Sequence, residues 1–287
     1  MVNFQQKDFY SIDDLQEIVK LLRSENGCPW DKEQTHKSIK SDFIEEVCEA
    51  IEAIDLEESD LLREELGDVL LQVVFHCQIE RENGNFKFED VCNEVCKKLI
   101  VRHPHVFGDV LVNNTDDVLK NWDSIKKETK GQESYTDTLK SVAKSLPALM
   151  RAQKVGKRAM RAGMDFKCKE DAISCIDAER SEFDEAVASG DKERIAEELG
   201  DLIFSCVNAA RHLGIDAEQA LTDSTDKFIR RFSKTEELVS LDLLNMPDLD
   251  IEQLDVYWER AKKLLYIYME VYYYDKGRSY QFNCSKG

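Results

Sequence analysis

The chain has 287 residues, 42% of them hydrophobic, with only 4 prolines and 12 glycines. That supplies apolar material for one large or two modest cores, and so few breakers among abundant Leu, Glu, Ala and Lys point to an all-helical protein rather than a disordered one. A formal net charge of -19 repels phosphate backbones and anionic lipid, which argues against a nucleic-acid polymer or a membrane surface as partner.

Apolar residues recur at helical spacing almost throughout. "IDDLQEIVKLLRS" predicts a first helix with Ser11 as N-cap, broken by the turn residues Gly27 and Pro29. Helices are expected over about 38–54, 60–82, 88–100 and 116–127. The polar run "KGQESYTD" (Lys130–Asp137) reads as a linker. A second helical series opens near Leu146, breaks at "RAGMDF", and continues over 172–188, 193–212, 217–239 and 251–269. Strand alternation is absent.

The series pairs with itself. "EELGDVLLQVVFHC" parallels "EELGDLIFSCVNAA", and "KLIVRHPHVF" parallels "KFIRRFSKTE". The expected organisation is a domain over 1–130, a linker over 131–145, a second domain over 146–263 and a C-terminal extension over 264–287, the last with no assignable role. Nine cysteines with no CxxC spacing read as reduced thiols of a cytoplasmic protein. Cys92 and Cys96, one helical turn apart, read as packing. The N-terminus lacks a signal-peptide apolar run. The run Leu264–Tyr274 is about half the length a membrane span requires.

Acidic pairs carry the chemistry. Glu46 and Glu49 are three residues apart, as are Glu65 and Asp68, so each pair lies on one helix face. The second half offers Glu182 and Glu185, then Glu198 and Asp201. Between the pairs stand 15 residues in the first half and 12 in the second. Packed antiparallel, such helices gather four carboxylates, which repel unless a cation neutralises them. Hard oxygen ligands suit Mg2+ or Mn2+. A solvated acidic face is the plain alternative for one such pattern. Two copies, each ending in EELGD, favour metal binding. Gly67 and Gly200 weaken their helices by about 1 kcal/mol relative to Ala, which predicts that another helix or a ligand comes close there.

Together, "ENGCPWDKEQT", Glu45–Glu49, "EELGD" with "LLQVVFHCQ", and "RHPHVFGD" resemble the MazG family. These are tandem-domain nucleoside triphosphate pyrophosphohydrolases of the all-α NTP pyrophosphatase superfamily. "SLPALMRAQK", "EELGDLIFSCVNAARHLG" and "KFIRRF" extend the resemblance over roughly residues 10–263. It implies two tandem helical-bundle domains, hydrolysis of NTP or dNTP to monophosphate and pyrophosphate, clearance of aberrant nucleotides, and a homodimer.

It also implies a division of roles in which Glu185 and Glu198 serve catalysis. Lys227 and Arg231 either meet the triphosphate or are surface charges. Arg194 is either a site residue or an exposed partner of Glu198. Asn208 is placed to read base or sugar. Trp258 either stacks on the base or anchors a core or interface. In the first half, Trp30 and Asp31 either close over a ligand, or Trp30 plugs the core. Arg102, His103 and His105 are either phosphate contacts or structural. Phe75 stands where the second half has Asn208, so the first site is expected to turn over poorly. Ser181 departs from the family, which often has an acid before the ExxE glutamate.

A catalytically weak nucleotide- or partner-binding regulator is the alternative, and a narrower dUTP- or dCTP-type pyrophosphatase is another. A di-iron bundle needs paired ExxH segments, of which only "EQTH" exists. A P-loop is excluded because "VGKR" lacks its first glycine and its Ser or Thr.

Overall fold

The computed structural model describes residues 4–112, 114 and 134–275, with side chains to 266. The helix expected over 116–127 and the end of the C-terminal extension lie outside the described residues. All regular structure among the described residues is helical, in two compact units divided between Lys130 and Gly131.

The first unit contains α1 (Ile12–Leu22), α2 (Pro29–Glu33), α3 (Lys40–Asp55), α4 (Ser59–Glu82), α5 (Phe88–Arg102) and α6 (Pro104–Phe107). Ser11 caps α1 in a reciprocal capping box with Asp14. The Pro29 turn carries the short helix α2, because proline at a first helical position is already set for helix. Helices α3 and α4 form an antiparallel hairpin. Ala50 and Ala53, both buried, let the two backbones approach. The core beneath is Val19, Ile39, Val74, Phe75 and Ile79, with Leu15, Leu71 and Phe88 against it.

The second unit contains α7 (Tyr135–Lys140), α8 (Ala148–Arg161), α9 (Lys169–Ser189), α10 (Lys192–His212), α11 (Ala217–Leu241) and α12 (Ile251–Asp275), with a 3-10 turn at Met246–Asp248. Helix α7 occupies the stretch expected to be linker. Ser134 caps it, and Arg158 of α8 donates to the Thr138 carbonyl and to Ser141 Oγ. Helix α12 runs through the boundary expected at 263. Helices α9 and α10 repeat the hairpin of the first unit, with Ala186 fully buried at the place of Ala53.

The two hairpins share one register. Adding 133 takes Ala53 to Ala186 and Glu64–Asp68 to Glu197–Asp201. It also takes Glu57 to Gly190, the residues with left-handed φ of 57° and 74° at the two hairpin turns. The second hairpin uses glycine there, which adopts this conformation without the Cβ clash a glutamate meets.

Each unit also ties its first connection to the end of its last hairpin helix, with opposite polarity. In the first, Arg23 is buried and forks onto Glu82, with Nη2 at 2.8 Å, and donates to the carbonyls of Asp31 and Gln34. His36 Nε2 lies 2.6 Å from Glu80, and its Nδ1 lies 2.7 Å from Nδ1 of the stacked His76, so one ring donates to the other. In the second unit the acid is on the connection. Asp165 accepts both terminal nitrogens of Arg211, and His212 Nε2 at 2.9 Å.

Burial and the neighbouring His36 push the His76 pKa down. The folded state therefore disfavours protonated His76, so stability is lost as pH falls below the unfolded value of about 6.5. Acidification from pH 7 to 5 is expected to lower the amide protection factors along α4, exchange rates being corrected for the intrinsic pH dependence, and His76→Gln to flatten that change.

Candidate active site

In the first unit, Glu46 and Glu49 on α3 meet Glu65 on α4, and one carboxylate oxygen from each lies within 4.8 Å of the others. Burial raises the Glu46 pKa most, with Asp68 and Glu49 adding to it. Burial likewise leads for Glu65, followed by Glu49, Glu64 and Asp68. Asp68 therefore acts on this group through its field, while the close set is the other three.

In the second unit the close set is Glu179, Glu182 and Glu198. This corrects the pairing taken from spacing. Glu182 belongs to the group, and Glu185 does not; the place given to Glu185 falls to Glu182, and that given to Glu182 falls to Glu179. The reason is the hairpin register, since adding 133 to Glu46, Glu49 and Glu65 yields Glu179, Glu182 and Glu198. Both units then have 15 residues between their acidic pairs. With the tight turn at Gly190, Glu185 lies nearer the hairpin end, level with Arg194, which approaches it at 3.8 Å and Glu198 at 3.6 Å. Arg194 thus links the outlying carboxylate to the group. Asp201 lies one turn beyond Glu198 on α10. The departure noted at Ser181 moves to Ala178, which the register places opposite Glu45.

The other expected site residues are distributed as follows. Asn208 is half-buried, with its Oδ1 3.4 Å from Arg211 Nη2. Gly156 of α8 faces it so closely that a Cβ there would lie 2.8 Å from Oδ1 and 3.2 Å from Arg211 Nε. Lys227 is exposed on α11. Arg231, half-buried, lies in the field of Glu259. Trp258 of α12 packs on Phe228 with ring centroids 5.2 Å apart. Among the described residues, no hydrogen bond or ion pair joins Lys227, Arg231 or Trp258 to the acidic group.

Trp30 does not plug the core; it is 60% exposed, and its carbonyl accepts from Gln34 Nε2. Asp31 enters the structure through its carbonyl, held by Arg23 at 2.6 Å. His103 Nδ1 lies 2.6 Å from the Leu99 carbonyl and its ring packs on His105. Cys96 is exposed among the described residues, whereas Cys92 is half-buried.

Among the described residues no neighbouring helix comes close to Gly67 or Gly200: outside their own helix backbone and adjoining residues, nothing lies within 4 Å of a Cβ built at either. Gly200→Ala is therefore expected to stabilise the isolated chain by about 1 kcal/mol through helix propensity. Gly156→Ala should cost about 1–3 kcal/mol by overpacking against the pinned Arg211. Thermal unfolding of the two variants checks these opposite signs.

Residues 34–107 and 169–235 match the MazG nucleotide pyrophosphohydrolase domain. A Thermotoga maritima protein named nucleoside triphosphate pyrophosphohydrolase/pyrophosphatase MazG is 46% identical over 250 residues, which span 87% of this chain and 95% of that one. The chain belongs to the MazG family. An Escherichia coli K12 protein named nucleoside triphosphate pyrophosphohydrolase is 43% identical over 255 residues, 88% of this chain and 97% of its own length. A Bacillus subtilis protein, YabN, named as uncharacterized, is 43% identical over 256 residues, 89% of this chain and 52% of its own. Each MazG match contains one acidic hairpin, so the tandem arrangement is two all-α MazG domains. No helix among the described residues is long and apolar enough to cross a membrane.

Proposed function

We propose that the second unit hydrolyses nucleoside triphosphates, NTP or dNTP, to the monophosphate and pyrophosphate, clearing aberrant nucleotides. Glu179, Glu182 and Glu198 would hold a divalent cation, Mg2+ or Mn2+, with Asp201 one turn beyond. The observation that carries the reading is the meeting of three carboxylates from two helices, repeated at one register in both units. Relatives alike over nearly their whole length are named for this reaction. The donor set fits a hard cation, being oxygen only, and carboxylates this close stay ionised together only when neutralised. When bound, the cation supplies Lewis-acid polarisation of phosphate oxygens and acidifies a coordinated water.

The chain's own groups do the rest. Arg194 holds Glu198 toward the group and adds positive charge beside the acids, where an arriving phosphate gains charge-assisted hydrogen bonds. Lys227 and Arg231, one turn apart on α11, give the triphosphate two further cationic partners. Trp258 offers a ring face to the base, and Asn208 an amide to base or sugar. Glu198 is the carboxylate proposed to orient the attacking water. Glu185 acts through Arg194.

A specific observation separates the first unit. Phe75, at the register of Asn208, is buried under the Arg23 guanidinium at 5.1 Å and presents no polar edge. The first unit therefore fits the regulator reading, binding ligand without efficient turnover.

A second copy is proposed to cover the outer faces of the hairpins. Ile44, Val47, Ile51 and Ile54 form an exposed stripe on α3 opposite the acids, and Leu199, Ile203 and Phe204 are exposed on α10. An isologous dimer pairs such surfaces with themselves. A cytoplasmic location fits the free thiols of the eight described cysteines.

Incubating the chain with mixed NTPs and Mg2+ tests the function. Equal amounts of monophosphate and pyrophosphate are expected. Nucleotide binding without turnover, or release of orthophosphate and nucleoside diphosphate, would overturn the assignment.

A further inference from the structure

The acidic group of the first unit contains a neutral member that the second lacks. Glu65, Asp68 and Gln72 follow one another along one face of α4, at spacings of three and four residues. Gln72 is 8% exposed, and its Oε1 is sealed from solvent with no hydrogen-bond partner. Its amide lies close enough to the Glu46 carboxylate to lower that acid's pKa as a donor, against the burial that raises it. Of the amide's two ends only the NH2 can donate to Glu46, which leaves Oε1 as the acceptor without a partner.

A buried acceptor of this kind needs a donor or a cation. Among the described residues no group donates to it. A divalent cation, or a water bound to one, provides either. At the corresponding position of the second unit, Ser205 Oγ donates to the Leu202 carbonyl at 2.8 Å, so that hydroxyl's hydrogen is spent within its own helix.

We propose that Gln72 completes a divalent-cation site in the first unit, its Oε1 facing the cation or a bound water while its NH2 holds Glu46, and that this site fills without nucleotide. The proposal rests on the reading of the acidic groups as cation sites. A fuller set of protein oxygens leaves fewer positions for phosphate, which suits a resident ion. The second unit, with its hydroxyl turned away, has positions left for substrate oxygens.

The test uses the full chain, Mn2+ alone, and the electron paramagnetic resonance signal of free Mn2+. Glu198→Gln silences the second unit, leaving the first to be titrated. On that background Gln72→Leu is expected to weaken Mn2+ binding at least tenfold, since groups that orient metal ligands typically contribute 10–100-fold. Ser205→Ala should leave it unchanged. In EDTA, Gln72→Leu should melt no lower than its parent, because it removes an unpaired buried acceptor, and it should lose the Mn2+-induced rise in melting temperature.

Mn2+ affinity unchanged by Gln72→Leu but lost with Glu65→Gln would overturn the role of Gln72 and spare the cation site. A metal-free chain destabilised by Gln72→Leu would also overturn it, by revealing a protein partner for Oε1. No Mn2+ bound by the wild-type chain would remove the underlying cation reading instead.

Discussion

Glu179→Gln and Glu198→Gln should each lower pyrophosphate release by at least about 100-fold, whereas Glu185→Gln should stay within several-fold of wild type. The separation follows from the hairpin register. Glu179 and Glu198 contribute oxygens to one group within 4.8 Å, and Glu185 meets Arg194 at 3.8 Å instead. Groups that merely orient a metal's ligands cost 10–100-fold when removed, so direct ligands should cost more. Gln keeps volume and polarity while removing charge, which limits the change to cation affinity. Raising Mn2+ should partly restore Glu179→Gln, as weakened binding requires. Full activity in Glu179→Gln together with its loss in Glu185→Gln would restore the pairing read from spacing alone.

Asp165→Ala should destabilise the second unit by about 1–3 kcal/mol, the usual cost of leaving a buried donor, here the Arg211 guanidinium, without its partner. Arg211 is 7% exposed and Asp165 18%, so little water is available to replace the lost partner. The Arg211 fork, followed by the His212 hydrogen bond, holds the Asp165 carboxyl well below the usual carboxylate range. A depressed acid contributes stability above its unfolded pKa of about 3.9 and loses it as pH falls further. Urea midpoints of the wild type should therefore decline below about pH 4, and Asp165→Ala should lose that part of the slope. Asp165 precedes α9, the helix of Glu179 and Glu182, so the variant should also lower cation affinity.

Much of the fold is written locally. Ser11 marks the start of α1, and the breaks at "NGN" and "RAGMDF" coincide with Gly84 and Gly163 in left-handed conformation. The acidic helices were legible from EELGD and its repetition. Their partners were only half legible, because Glu179, Glu182 and Glu185 form two overlapping ExxE pairs in one helix and three-residue spacing cannot choose between them. The constant shift of 133 does choose, and it was present in the sequence. The ties His36–His76 and Asp165–Arg211 span 40 and 46 residues, and no periodicity reveals them. Gln72 reads as an ordinary polar position in α4 until its oxygen is seen sealed beside Glu46. Gly67 and Gly200 suggest a close helix or ligand, and among the described residues no helix fills that place.

The reversed polarity of the two ties bears on how a duplicated chain avoids tangling. Similar repeats joined in tandem invite one repeat to dock its segment onto the other during folding, a common failure of such proteins. Here that exchange is self-defeating. Arg23 and His36 brought to the end of α10 would meet Arg211 and His212, and Asp165 brought to the end of α4 would meet Glu80 and Glu82. Each repeat carries a charge key that only its own lock accepts.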